Sequence, residues 1–230
     1  MAFRLAAASC VALAVVAHPA AAFAEEVRWD RWQDHKKDEK WGAELQVGSL
    51  IGIERREGLE RSAAVVGGVA SVGFRRRLEY KEADEDDVPV FLALPTLGIA
   101  LLPPSGVYGT EQGLDLHIEG HALPGTGGMR WIVAMDPVFR VFKDNSRYRF
   151  PTIVQYVLPT IGAAFDSPGP GDAIQGTRGL LYVAPKLFPL GILITNDVGI
   201  ELDGYVPLYI NPDDASVAWG LSFATKLIVH

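Results

Sequence analysis

Residues 114–122 alternate without interruption: Leu114, Leu116, Ile118, Gly120 and Ala122 occupy one set of positions, and Asp115, His117, Glu119 and His121 the other. Side chains of a β-strand point to opposite faces with period two, so the segment predicts a strand that is apolar on one side and carries four ionisable groups on the other. Two architectures accept such a strand. A soluble sheet shows its polar face to water and its apolar face to a core, whereas a membrane barrel shows its apolar face to lipid and its ionisable face to a lumen.

The start of the chain bears on that choice. A short basic beginning that includes Arg4 precedes an apolar run over 5–17, too short to span a bilayer, and Ala22-Phe23-Ala24 supplies a small-x-small cleavage pattern. Together these predict a signal peptide over 1–24 and an exported chain. The one cysteine, Cys10, falls inside it. Beyond residue 24 the sequence therefore excludes a disulfide, a thiolate metal site and a cysteine nucleophile. The net charge is −7, and loss of Arg4 makes it more negative. That acidity, without a basic stripe, argues against a nucleic-acid partner. No later uncharged apolar run reaches about 18 residues with helical character, so no transmembrane helix is predicted.

Residues 25–40 are almost wholly charged, with Trp29 and Trp32 three apart, and read as a polar leader. A β-rich domain is expected over 41–230. Its strand-like stretches cover 41–54, 63–78, 90–102, 114–122, 129–142, 148–165, 179–194, 198–210 and 217–230, separated by turn-forming segments such as Pro103-Pro104-Ser105-Gly106 and Asp144-Asn145-Ser146. Barrels made from one bacterial chain normally have an even strand number. The expectation is an all-β, antiparallel, up-and-down transmembrane β-barrel of eight or ten strands, with the stretch around Pro185 and Pro189 the place where nine miscounts. Pro95, Pro159, Pro185 and Pro207 each remove a ladder donor and call for a bulge or a strand end. A weak repeat, Leu94-Pro95-Thr96-Leu97-Gly98 against Leu158-Pro159-Thr160-Ile161-Gly162, fits either a duplicated hairpin or convergent strand composition. The acidic segment 82–87 lacks EF-hand spacing and reads as a solvated loop.

Positions opposite the apolar faces are Glu44, Gln46, Arg75, Arg77, Asp115, His117, Glu119, His121, Arg130, Asp136, Arg140, Gln155, Glu201, Asp203 and Lys226. Acids and bases are both present, and ions removed from water need partners, so these side chains are expected to form a lumenal polar network. On the stretch 129–142 the apolar set is expected to be Trp131, Val133, Met135, Phe139 and Val141. His117 and His121 stand about 13 Å apart along a strand at roughly 3.3 Å per residue, too far to hold one metal together. Gly120 also disfavours the helix that a zinc-protease motif would need. Ser49, Ser71 and Ser222 fall on or near the inward face, where His117 or His121 with Asp115 or Glu119 could supply a base and its orienter. No Gly-x-Ser-x-Gly elbow accompanies them. Trp41, Tyr80, Tyr108, Trp131, Tyr148, Tyr209 and Trp219 lie near strand ends, where interfacial girdles sit.

With its signal peptide, its cysteine-free strands and the closing segment Trp219-Gly220-Leu221-Ser222-Phe223-Ala224-Thr225-Lys226-Leu227-Ile228-Val229-His230, the chain resembles the small bacterial outer-membrane β-barrels of the OmpA-like and opacity-protein kind over 41–230. Many such barrels end on an aromatic residue, whereas this sequence ends Val229-His230. The resemblance implies a Gram-negative outer-membrane protein, porin-like in build, whose partners are the bilayer and the barrel-assembly machinery. No cofactor, metal or catalytic residue is expected, and no small-molecule ligand is indicated. The alternatives are a barrel-embedded lipid hydrolase and a soluble periplasmic barrel that binds an apolar ligand.

Overall fold

The computed structural model describes residues 41–55, 62–83, 106–123, 127–143, 152–155, 158–169, 176–187, 190–195 and 197–230. The signal peptide, the leader, the stretch 90–102, Pro95, Tyr148 and the first copy of the repeat lie outside these. The side chains of Tyr80, Tyr108 and Gln155 do so as well.

Eleven strand segments form among the described residues: β1 (Trp41–Arg55), β2 (Ala63–Ala83), β3 (Gly106–Ala122), β4 (Met129–Lys143), β5 (Thr152–Gln155), β6 (Thr160–Ser167), β7 (Arg178–Ala184), β8 (Leu190–Leu193), β9 (Val198–Tyr205), β10 (Leu208–Ile210) and β11 (Val217–Val229). Neighbours pair antiparallel, and β1 pairs with β11 from Leu45↔Val229 to Arg55↔Trp219. The sheet thereby closes on itself. β5 and β6 both lie beside β4, β7 and β8 continue one line, and so do β9 and β10. The eleven segments are therefore eight staves. β2 pairs directly with β3 from Gly67↔His121 to Ala83↔Gly106, and the expected stretch 90–102 lies outside the described residues. The expected stretch 179–194 divides into β7 and β8 on one stave, so it is an interruption rather than a miscount; Pro189 lies outside the described residues.

Prolines mark the interruptions. Pro159 sits just before β6, Pro185 just after β7, and Pro207 between β9 and β10. Pro137 lies in β4, where pairing with β6 stops at Met135↔Ile161 and pairing with β5 resumes at Arg140↔Gln155, one residue out of step. A second one-residue offset separates Leu208↔Val183 from Leu190↔Leu202. Such a slip exchanges the two faces of a strand. Accordingly Ala184 and Lys186 are buried before the break, and Gly191 and Leu193 after it. Two of the breaks are sealed by prolyl carbonyls: Val206 N–H donates to Pro185 O at 3.0 Å, and Gly220 N–H to Pro207 O at 3.0 Å.

The two faces of the ring differ sharply. Outside, Leu45, Val47, Ile51, Ile53, Val66, Val72, Leu114, Leu116, Ile118, Trp131, Val133, Met135, Ile161, Leu181, Ile200 and Leu202 are all exposed. On β1 the outward run from Ala43 to Ile53 carries no charge. At roughly 3.3 Å per residue and a tilt of about 40°, that run gives a belt roughly 25 Å tall. Each rim of β1 carries an arginine–tryptophan pair, Arg76 opposite Trp41 and Arg55 opposite Trp219. Ser49 belongs to this outward set rather than to the inward one. Val141, expected outward, is fully buried opposite Thr110, which is buried too.

Inside, charged groups share the space with an apolar cluster that includes Leu50, Val65, Val69, Ile132, Tyr182 and Tyr209. Tyr209 was expected in a girdle. It falls instead on the inward set of its stave with Tyr205, and the Arg130 guanidinium lies over its ring at 3.7 Å.

Candidate functional site

Inside the ring, the even-numbered positions of β1 and the odd-numbered positions of β3 face one another across β2. Glu44 is held by three neighbours: Arg75 Nη2 donates to Oε1 at 2.8 Å, Gln46 Nε2 donates to Oε1 at 2.6 Å, and Arg140 Nη1 donates to Oε2. Arg75 also grips Asp115 with both terminal nitrogens, Nη1 donating to Oδ1 and Nη2 to Oδ2 at 2.7 Å. Arg140 reaches across the lumen from β4, binding Glu44 on β1 and Glu201 on β9, the latter at 2.8 Å. Lys226 donates to Asp203 and lies 3.8 Å from Glu201. Arg77 pairs with Glu111 at 2.9 Å. His230, next to the last strand, places Nδ1 3.3 Å from Glu44 Oε2.

A second group lies toward the opposite end. Arg130 grips Asp166 with two nitrogens, Nη2 to Oδ2 at 2.8 Å, and donates through Nη1 to Glu54 at 2.9 Å. Glu119 accepts from both histidines, from His121 Nδ1 at 2.9 Å and from His117 Nε2 at 3.4 Å, and from the Tyr205 hydroxyl at 2.9 Å. Strand period two places Glu119 between the two histidines on one face, and one carboxylate therefore serves both. At the proline breaks, Lys186 donates to Asp136 at 2.8 Å and the Thr160 hydroxyl donates to it at 3.1 Å.

All thirteen ionisable positions singled out from the sequence are described. Glu44, Arg75, Asp115, His117, Glu119, His121, Arg130, Asp136, Arg140, Glu201, Asp203 and Lys226 are buried, and the Arg77 side chain is only 5% exposed. The structure joins Glu44, Arg75, Arg77, Asp115, Arg140, Glu201, Asp203 and Lys226 into neighbouring pairs, and His117, Glu119 and His121 into another set with Tyr205. Sequence reasoning missed Glu54, Glu111, Asp166, Lys186 and His230. Glu54 continues the even-numbered series on β1 and was findable by carrying the same count to the end of the expected strand. Lys186 continues the even-numbered buried series Leu180, Tyr182 and Ala184 past Pro185 and was findable by the same count.

At Ser71 the serine–histidine–carboxylate combination does not assemble as a nucleophile. Ser71 stands directly opposite His117 in the β2–β3 ladder, but its hydroxyl donates to Gln46 Oε1 at 3.0 Å. Both residues face the closed interior, away from any lipid on the outer face. Among the described residues, no three His, Cys, Asp or Glu side chains converge as a metal site. What the arrangement does chemically is compensate buried charge and tie opposite walls together. Arg140 and Arg130 each join β4 to β1, and Tyr205 joins β9 to β3.

A closed antiparallel ring of eight staves, ionic within and uncharged around its middle, has the fold class of the small bacterial outer-membrane β-barrels. Among solved structures, the chain is similar to Neisserial surface protein A (NspA), with a TM-score of 0.50 at 8% identity, covering 83% of this chain and 99% of that one. It also matches Ail, the attachment invasion locus protein of Yersinia pestis, with a TM-score of 0.35 at 11% identity and the same coverages. No protein-family model matches, and no curated protein does.

Proposed function

We propose that this chain is exported by a signal peptide over 1–24 and inserted, by the outer-membrane assembly machinery of a Gram-negative bacterium, as a non-catalytic barrel whose lumen is filled rather than open. The observation that carries this is the inversion of the two faces: large apolar side chains are exposed on every stave, while charged groups are buried within. A protein in water would bury the first and expose the second. Lipid reverses both preferences. Likeness to a neisserial surface protein supports the address. The cross-lumen pairs of Arg130 and Arg140 and the bulk of Leu50, Ile132 and Tyr182 support a plug, and with it a structural role in preference to solute passage.

Fractionation beside outer-membrane markers tests the address, and heat-modifiable gel migration tests the barrel. Recovery in the soluble periplasmic fraction refutes the proposal. In planar bilayers the purified barrel is expected to show no steady ion conductance, and Arg140→Ala to raise it by releasing two opposed carboxylates. A well-defined open channel in the unaltered protein refutes the plug.

A further inference from the structure

The outer face is not uniform. Pairing of β1 to β4 sets Trp41, Arg76, Gln112 and Phe139 in one row across four adjacent staves. The next row toward the middle is Ala43, Phe74, Leu114 and Pro137, and the one beyond it Leu45, Val72, Leu116 and Met135. The first row is thus a cation and an amide between two aromatic rings, and the rows behind it are wholly apolar. A groove of about 800 Å³ opens over these rows, walled by Val72, Phe74, Leu114, Leu116, Met135 and Phe139, with Arg76 and Gln112 in its lining. It reaches Leu158, beside the break between β4 and the β5–β6 stave.

Arg76 is exposed, and among the described residues it has no acidic partner; its guanidinium lies 5.7 Å from the Trp41 ring centre. The lumenal arginines Arg75, Arg130 and Arg140, by contrast, each bind carboxylates. An arginine forks onto two oxygens of a phosphate, and a tryptophan beside it marks the depth at which headgroups lie. From this juxtaposition we infer that the groove seats an anionic glycerophospholipid, its phosphate on Arg76 and Gln112 and an acyl chain along Phe74, Leu114 and Leu116. One guanidinium and one amide suit a single phosphodiester. A lipid with two phosphates calls for a second cation in the same row, where Trp41 and Phe139 stand instead. The site rests on the membrane reading above, since only a bilayer presents such a ligand to this face.

The test refolds the full chain into vesicles of equal parts phosphatidylethanolamine and phosphatidylglycerol, confirms insertion by flotation and heat-modifiable migration, then extracts it in mild detergent and counts retained lipids by native mass spectrometry. The unaltered protein is expected to keep phosphatidylglycerol in preference, and Arg76→Gln to lower that preference about fivefold. Leu114→Trp, which fills the apolar row, is expected to lower retention of both lipids alike. Equal retention of the two lipids by the unaltered barrel, or a preference indifferent to Arg76→Gln, overturns the site while leaving the barrel intact. Retention unchanged in Leu114→Trp overturns the groove as the seat of the chain. A protein that never floats with the vesicles refutes the membrane reading itself, and the flotation step separates that failure from the others.

Discussion

Arg130→Met removes the guanidinium that joins β4 to both β1 and β6 and leaves its partners where they are. Asp166 loses a two-nitrogen grip, Glu54 loses a 2.9 Å bond, and the Tyr209 ring loses the cation stacked on its face. Breaking a buried ion pair by deleting one member costs about 3–5 kcal/mol, because the remaining charge stays desolvated. A desolvated cation–π contact contributes about 2 kcal/mol more. The two losses overlap, since one group makes both, so the expected destabilisation is about 4–5 kcal/mol. His121, 3.8 Å from Glu54, offers only partial replacement. Urea titration of the barrel in vesicles measures the loss, followed by tryptophan emission, because Trp41, Trp131 and Trp219 all lie on the outer face and report departure from lipid. The triple variant Arg130→Met, Glu54→Gln, Asp166→Asn removes the stranded charges along with the cation. It is expected to recover most of the loss. A single-variant loss below about 1.5 kcal/mol, or a triple variant no better than the single one, refutes the claim that these charges are buried and mutually compensated.

Two further substitutions probe the wall. Val133, between Ile118 and Ala163 in the middle of the outer belt, is exposed to whatever surrounds the barrel. Val133→Arg is expected to cost about 2–4 kcal/mol in vesicles if that medium is hydrocarbon, and a loss under about 0.5 kcal/mol in the same urea titration speaks for water. At Gly162 an added Cβ meets Val133 O at 2.3 Å and Ala134 Cα at 2.4 Å, whereas nothing lies within 4 Å at Gly179. Gly162→Ala is therefore expected to lose about 1–3 kcal/mol and Gly179→Ala under about 0.5 kcal/mol. Equal effects refute the close approach of β4 and β6.

Most of the wall was legible because the alternation is local. Asp115, His117, Glu119 and His121 face inward for no reason beyond period two, and the same count on β1 places Glu44 and Gln46 beside them. The rest depends on what lies across the barrel. That Glu119 serves both histidines and Tyr205, or that Arg140 reaches two staves at once, follows from ring closure and strand offsets that no window of sequence contains. Apolar residues inside, such as Leu50 and Ile132, were hidden for a related reason. A filled interior needs volume where no ion pair reaches, and sequence alone does not show where that is. Pro159, Pro185 and Pro207 were read correctly as breaks, but the change of facing between Lys186 and Gly191 is invisible to a simple count along the stave.

Those prolines constrain how this chain can vary. A ladder that stops inside hydrocarbon normally strands an amide hydrogen with no water to accept it, a loss of several kcal/mol. Proline has no such hydrogen. At Pro137, Pro159, Pro185 and Pro207 the wall departs from regular pairing at residues with nothing to strand. Any replacement, including the valines and isoleucines that strands otherwise favour, brings the hydrogen back. The least strand-like residues in the barrel are thus the ones its surroundings hold most firmly in place.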